Sequence, residues 1–325
     1  MTQRSHQSVL LNEVVAAFPW GDEPRLLVDG TLGNGGHSAA LLKKFPALRV
    51  LGIDRDADAL ARAAETLDFA KERVMLVHGE FSAMKEILQA HSPASPDGIL
   101  LDIGVSSPQI DDPARGFSWR TEGPLDMRMD RSRPENASRI LNRAPEAELE
   151  RIFREYGELR ASGKLASAIL ARRSVRPFAT TSELTALCDE VLGKSRPGTL
   201  PAPTLVFQAL RIAVNDELGE LRKALNAAVE ILKPGGILAV ISFHSLEDRM
   251  VKHFFREQAA SCVCPPGLPV CVCGKKPALR IITPRALVAG DAERAANRRS
   301  ACARLRIAGK LETKQIQHNT SGRQQ

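Results

Sequence analysis

No apolar run in this 325-residue sequence approaches the roughly 20 residues that a membrane span requires. The first residues, Met1 to Gln7, lack the apolar core of a signal peptide. A cytoplasmic protein with no membrane partner is therefore expected. The dinucleotide-binding glycine fingerprint is also missing. The glycines here are spaced Gly30-x-x-Gly33-x-Gly35-Gly36, which disfavours a nicotinamide-dependent dehydrogenase. What remains is an ordinary globular composition, 43% hydrophobic and 26% charged, long enough for a sizeable core and two domains. The net charge of +7 favours a polyanionic partner, because phosphate neutralisation supplies sequence-independent affinity.

The stretch that organises the chain is Val28 to Ser38. The apolar run Arg25-Leu26-Leu27-Val28 before it has the pattern of a buried parallel strand, and good helix formers, Ala39 to Lys43, follow at once. Strand, glycine-rich turn and helix in that order form the first unit of a nucleotide-binding α/β sheet. Two later apolar runs end in acids. Arg49 to Asp54 places a carboxylate about 20 residues after the glycines, where a ribose-binding acid belongs. Asp97 to Gly104 carries a buried strand ending at Asp102. Ligands of open parallel sheets sit beyond the carboxyl ends of the strands, so topology brings Asp29, Asp54 and Asp102 together. The competing reading of each acid is a helix cap.

Further strands are expected at Arg73–His78 and Ile237–Phe243, and Phe81 after the third is either an adenine wall or core. After the fourth strand the alternation stops. The turn-rich segment from Val105 to Arg133 keeps Phe117, Trp119, Leu125, Met127 and Met129, which argue against disorder. From Asn136 to about Leu192 the pattern is helical throughout, and Arg172, Arg173, Arg176, Lys194 and Arg196 make it basic, which reads either as a solvated face or as an RNA surface. A long helical stretch, Thr204 to Leu232, has a candidate break near Asn215. Two β-like runs, 279–283 and 303–307, close the series, the last alternating as an edge strand would. The expected fold class is α/β, a Rossmann-like seven-stranded methyltransferase sheet with an inserted all-helical subdomain. Residues 1–111 and 206–325 would form the discontinuous cofactor-binding domain, and 112–205 an insert that recognises RNA. A polar tail, 312–325, is expected to be disordered.

Several segments together identify a family. They are His6–Leu11, Asp29–Ser38, Gly52–Asp56, Asp102–Gln109, Gly116–Ser118, Gly123–Asp130 and Ile241–Arg249. The chain resembles, from residue 6 to about 307, the bacterial 16S ribosomal RNA (cytosine-N4)-methyltransferases. The resemblance implies methyl transfer from S-adenosylmethionine to the exocyclic amine of a cytosine in the decoding region. Its RNA substrate would lie within the small ribosomal subunit. It places cofactor contacts on Gly35, Gly36, His37, Asp54, Phe81, Asp102 and Gln109. Alternatives are a DNA amino-methyltransferase, which would flip its base from duplex, and a non-catalytic RNA-binding assembly factor.

A cytosine amine is a poor nucleophile because its lone pair is delocalised into the ring. It must be held against the methyl donor, with its N–H groups accepted by the protein. Asp102, Ser106 and Ser107 are the candidate catalytic residues. Amino-methyltransferases generally carry a polar residue, Pro-Pro and an aromatic here; Ser107-Pro108-Gln109-Ile110 lacks the second proline and the ring. Phe117, Trp119 and Phe243 are then the rings available to stack on the base. His37 is assigned to the cofactor loop, and His244 is left as an RNA or active-site contact. Cys262, Cys264, Cys271 and Cys273 bracket a proline-rich loop, which in a cytoplasmic protein suggests a metal, zinc, more than disulfides. Their C-x-C spacing departs from the usual C-x₂-C, so a stiff metal-free loop stays open.

Overall fold

The structure, a computed structural model, describes residues 8–92, 94–193, 198–265 and 270–312. The start of the His6–Leu11 motif, Lys194, Arg196 and the tail from residue 313 lie outside the described residues. The chain divides into two compact units, residues 1–104 with 220–325, and residues 105–219.

The first unit is built on a seven-stranded sheet. Its strands are β1 (Arg25–Asp29), β2 (Leu48–Asp54), β3 (Val74–His78), β4 (Gly98–Asp102), β5 (Ile237–Ser242), β6 (Leu279–Ile281) and β7 (Arg304–Lys310), in the order 3-2-1-4-5-7-6. The first five are parallel; β7 pairs antiparallel with both β5 and β6. The helices of this unit are α1 (Leu11–Ala17), α2 (Gly36–Lys44), α3 (Ala57–Thr66) and α4 (Met84–His91). The second unit holds α5 (Ser107–Asp111), α6 (Ala137–Arg143), α7 (Glu146–Glu155), α8 (Ser162–Val175), α9 (Thr181–Leu192) and α10 (Ala202–Asn215). The chain returns to the first unit through α11 (Glu217–Ile231), followed by α12 (Ser245–Ala259) and α13 (Asp291–Ala296).

Both faces of the sheet's central strands are buried, which is why β1, β2, β4 and β5 are largely apolar runs, whereas β3 at the edge is partly exposed. Successive residues point to opposite faces. Leu27, Leu100, Ala239 and Ile241 join one core with α1 and α2, while Val28, Ile99, Leu101, Leu238 and Val240 join another with α4, α11 and α12. The amino ends of three strands meet on Asp97. Its carboxylate accepts from the Leu26 N–H at 2.9 Å, from Arg25 at 3.1 Å and from Lys233 at 3.1 and 3.2 Å, while its backbone bonds Leu26 and Ile237.

Two expectations change. The last strand is not an edge: β7 lies inside the sheet, and β6 is outermost. Arg306, on which the alternating pattern rested, is buried because its guanidinium forms a two-pronged pair with Asp248 at 2.7 and 3.0 Å. Residues 105–111 and 206–219 belong with the helical unit, not with the sheet. Val206, Phe207, Leu210 and Val214 of α10 are core residues of that unit, packed with Leu149, Phe153 and Leu184. The break near Asn215 is present. Asp216, in a left-handed conformation at φ 47°, separates α10 from α11.

The irregular 115–133 segment is ordered by two buried polar side chains rather than by regular structure. Asn215 accepts from the Met129 N–H at 2.9 Å and donates to the Met127 carbonyl at 2.8 Å; Arg115 donates to the carbonyls of Arg128 and Met129. Leu125, Met127 and Met129 are buried beneath it. Such fully partnered groups convert a loop that cannot form a ladder into fixed backbone.

Asp97 generates a stability prediction. Burial opposes its ionisation, but the Leu26 N–H, Lys233 and Arg25 outweigh it and hold its carboxyl below the ordinary range. Lowering the folded value makes the contribution present above the unfolded pKa and lost as pH falls through the folded one. Asp97→Asn should destabilise the protein by about 1–3 kcal/mol at neutral pH, with the deficit shrinking in acid, as read from urea midpoints.

Candidate active site

The site is built at the carboxyl ends of β1, β2, β4 and β5. Parallel register carries Asp29 and Asp102 to the last positions of adjacent strands, and Asp54 to the end of β2. Between β1 and α2 runs the glycine turn. Gly35 has φ 78°, a backbone conformation open to glycine at little cost. A methyl at Gly36 would collide with the Ser8 hydroxyl. The turn is tied to β2 by Asp54, whose Oδ2 accepts from the Gly33 N–H at 2.7 Å and whose Oδ1 accepts from the Asp56 N–H at 2.8 Å. Asp54 therefore shapes the glycine loop as well as closing its strand. Each carboxylate oxygen retains acceptor capacity for a further donor.

A second polar group is more deeply withdrawn from water. Asp29 accepts from Ser38 at 2.6 Å and from the Thr31 N–H at 3.3 Å, yet burial pushes its carboxyl up to about 6. His37 lies between Val9 and Asp102. A carbonyl can only accept, so Nε2 donates to the Val9 oxygen at 2.9 Å and Nδ1 faces Asp102 Oδ2 at 3.5 Å. Burial lowers the pKa of His37, which favours the neutral ring. Asp102 is pushed up to about 7, first by burial and then by the charge of Glu247. Its Oδ1 is shut off from solvent with no hydrogen-bond partner among the described residues.

In the sequence reading Glu247 falls only within the Ile241–Arg249 motif and is assigned no role. It is fully buried and accepts from the Phe243 and His244 N–H groups, at 2.8 and 3.3 Å, capping α12. Its other oxygen faces His244 Nε2 at 3.1 Å. The signal available was the capping pattern itself, a polar residue followed three positions later by Glu at a strand-to-helix turn. His244, left as an RNA or active-site contact, is thus engaged with Glu247.

Of the other expected residues, Phe81 is buried in the core beside Val28 and Leu101, with the Arg55 guanidinium 5.9 Å from its ring. Phe243 also packs against the sheet core. Ser106, Ser107 and Gln109 lie in the second unit, at the start of α5, where Gln109 Oε1 accepts from the Ser106 N–H at 2.9 Å. Phe117 and Trp119 are half-buried against the helical core, Trp119 donating to Thr204 at 3.0 Å. The four cysteines lie in the connection from α12 to β6, with their sulfurs gathered within 4.8 Å of one another.

A parallel sheet with a reversed penultimate strand, a glycine turn after β1 and acids at the next strand ends is the architecture of an S-adenosylmethionine-dependent methyltransferase. The chain belongs to the MraW methylase family, whose model matches residues 3–311. It is 47% identical over 308 residues to a protein of Carboxydothermus hydrogenoformans named ribosomal RNA small subunit methyltransferase H, covering 94% of this chain and 98% of that one. The protein of the same name from Heliobacterium modesticaldum is 48% identical over 313 residues, with 94% and 98% covered. That of Trichlorobacter lovleyi is 46% identical over 316 residues, with 96% and 100% covered.

The raised Asp102 pKa carries a sign that can be tested. A carboxyl whose folded value exceeds its unfolded one contributes stability in acid that is lost as pH rises through the folded value. Asp102→Asn removes that loss. The variant should gain on the parent by roughly 1–3 kcal/mol between about pH 4 and about pH 7, and no further above it. Parallel urea titrations across that range check it, and a difference independent of pH would contradict the assignment.

Proposed function

We propose that this protein transfers a methyl group from S-adenosylmethionine to the N4 amine of a cytosine in the decoding region of 16S ribosomal RNA, within the small ribosomal subunit. The observation that carries the reading is a match spanning nearly the whole chain to proteins named for methylation of small-subunit RNA. It meets a site whose donor set suits the cofactor. The unpartnered buried oxygen of Asp102 and the spare acceptor capacity of Asp54 are what ribose hydroxyls and an ammonium would satisfy. Gly35, Gly36, His37, Asp54, Phe81, Asp102 and Gln109 are the residues that the family resemblance assigns to the cofactor. When bound, S-adenosylmethionine supplies an electrophilic methyl on a sulfonium.

The remaining work falls to the chain itself. Methylation of the amine releases one proton, which needs an acceptor. Asp102, with a pKa of about 7, is matched to that task at neutral pH. Ser106 and Ser107 follow it by four and five residues and can accept from the amine to orient it. His37, fixed by Val9, holds the Asp102 carboxyl from the side.

The helical unit is assigned to grip the RNA, although its arginines divide by role. Arg173 donates to the carbonyls of Leu141 and Ala144, both at 2.8 Å, and so caps α6. Arg172 stacks on Phe178 and pairs with Glu183. Arg176 also reaches Glu183, but its side chain is 73% exposed, which leaves it accessible to phosphate. Arg176→Ala should weaken RNA binding and lower the salt slope by about one. Arg173→Ala should instead destabilise the protein, and an equal slope change from both would remove the distinction.

The activity is tested with labelled cofactor and small subunits that lack the modification. Label is expected in 16S RNA, as N4-methylcytidine on nucleoside analysis. Asp102→Ala should slow transfer by about 100-fold or more while the protein stays folded. Label entering duplex DNA instead would favour a DNA amino-methyltransferase, and cofactor binding without any transfer would favour an assembly factor.

A further inference from the structure

The connection from α12 to β6 has chemistry that methyl transfer does not use. It leaves α12 at Ala259 and is closed at its base by the Ala278 N–H, which donates to the Gln258 carbonyl at 2.8 Å. Val263, Val270 and Val272 are 57, 72 and 78% exposed, so apolar burial does not hold the loop. The groups that face one another are sulfurs. Cys271 Sγ lies 3.4 Å from Cys262, 3.5 Å from Cys273 and 3.9 Å from Cys264, and Cys273 lies 3.9 Å from Cys262. All four sulfurs fall within 4.8 Å of one another.

These separations are too long for disulfide bonds, which need about 2.05 Å. They match a different object. Four sulfurs about 2.3 Å from a central zinc form a tetrahedron with edges of about 3.8 Å. The backbone is arranged for thiolates as well. The Val263 N–H donates to Cys273 and the Cys264 N–H to Cys262, each at 3.4 Å. Gly274, at φ 59°, turns the chain after Cys273 with open space around it, and the Lys275 N–H returns to that sulfur.

We propose that Cys262, Cys264, Cys271 and Cys273 bind one zinc ion in a closed tetrahedral site that is structural. Four Zn–S bonds form as the four thiols give up their protons, with no change of oxidation state. All positions are filled by protein, so none is left to activate water or substrate. The position agrees: α12 has 15 residues, and about 18 Å of helix separates the buried Glu247 from the loop. The metal takes the place of a core that three exposed valines cannot supply.

The test uses the full chain, made without a histidine tag and purified without chelator. Elemental analysis should give about one zinc per chain, released by a mercurial reagent as the cluster thiols react. Cobalt in place of zinc should give the intense visible absorption of tetrahedral thiolate coordination. The variant with all four cysteines replaced by serine should carry no metal, keep a cooperative unfolding transition, and be cut within residues 260–278 at least about 10-fold faster by protease. Should that variant fail to fold, Cys271→Ser in the cobalt protein decides, since its thiolate absorption must fall. Metal-free parent protein, two disulfides by mass analysis, zinc retained without the cysteines, or an unchanged cobalt spectrum would each overturn the site.

Discussion

Withdrawal of carboxylates from water at the ends of neighbouring parallel strands is the constraint on which this molecule turns. Asp29 and Asp102 are the last residues of two adjacent parallel strands, and the helices that cover both sheet faces withdraw them from solvent. A buried carboxyl must find donors or hold its proton. Asp29 takes Ser38 and Thr31; Asp54 takes the Gly33 and Asp56 amides; Asp102 is left with a neutral imidazole and an open oxygen. The differing satisfaction of three like residues turns a strand-end rim into a site with distinct parts.

The glycine loop and Asp54 support each other through the same economy of donors. An amide aimed at a carboxylate is satisfied where no ladder can reach it, so the turn is held without regular structure. The irregular 115–133 segment repeats the device with Asn215 and Arg115. In both places polar side chains bonded to backbone fix a path that apolar packing would leave degenerate.

The sheet was legible in the sequence because strands buried on both faces are short, continuous and apolar. The acids at their ends could be placed by topology alone. The thiol cluster was visible as spacing, though its tetrahedral closeness was not. Other features depended on pairs distant in sequence. Arg306 looked solvent-facing until Asp248 covered it. Glu247 was legible only as part of a motif, without a role, because a buried acid is uncommon and its partners are backbone groups. Arg173 and Arg176 are indistinguishable as letters, and only the open carbonyls of α6 separate them. Which charge is structural depends on the third dimension.

The placement of β7 between β5 and β6 has a consequence for biogenesis. Strands β1 to β5 can pair in a growing chain as they emerge, and β5 then presents an unpaired edge. That edge finds its partner only when residues 304–310 have left the ribosome. Until then a strand that is apolar from Ile237 to Ile241 is exposed in the manner that invites pairing with foreign strands. Arg306 travels with the late strand and pairs with Asp248 on α12, so completion of the sheet and anchoring of that helix arrive in one event. The newborn protein thus has a window of vulnerability whose length is set by translation speed.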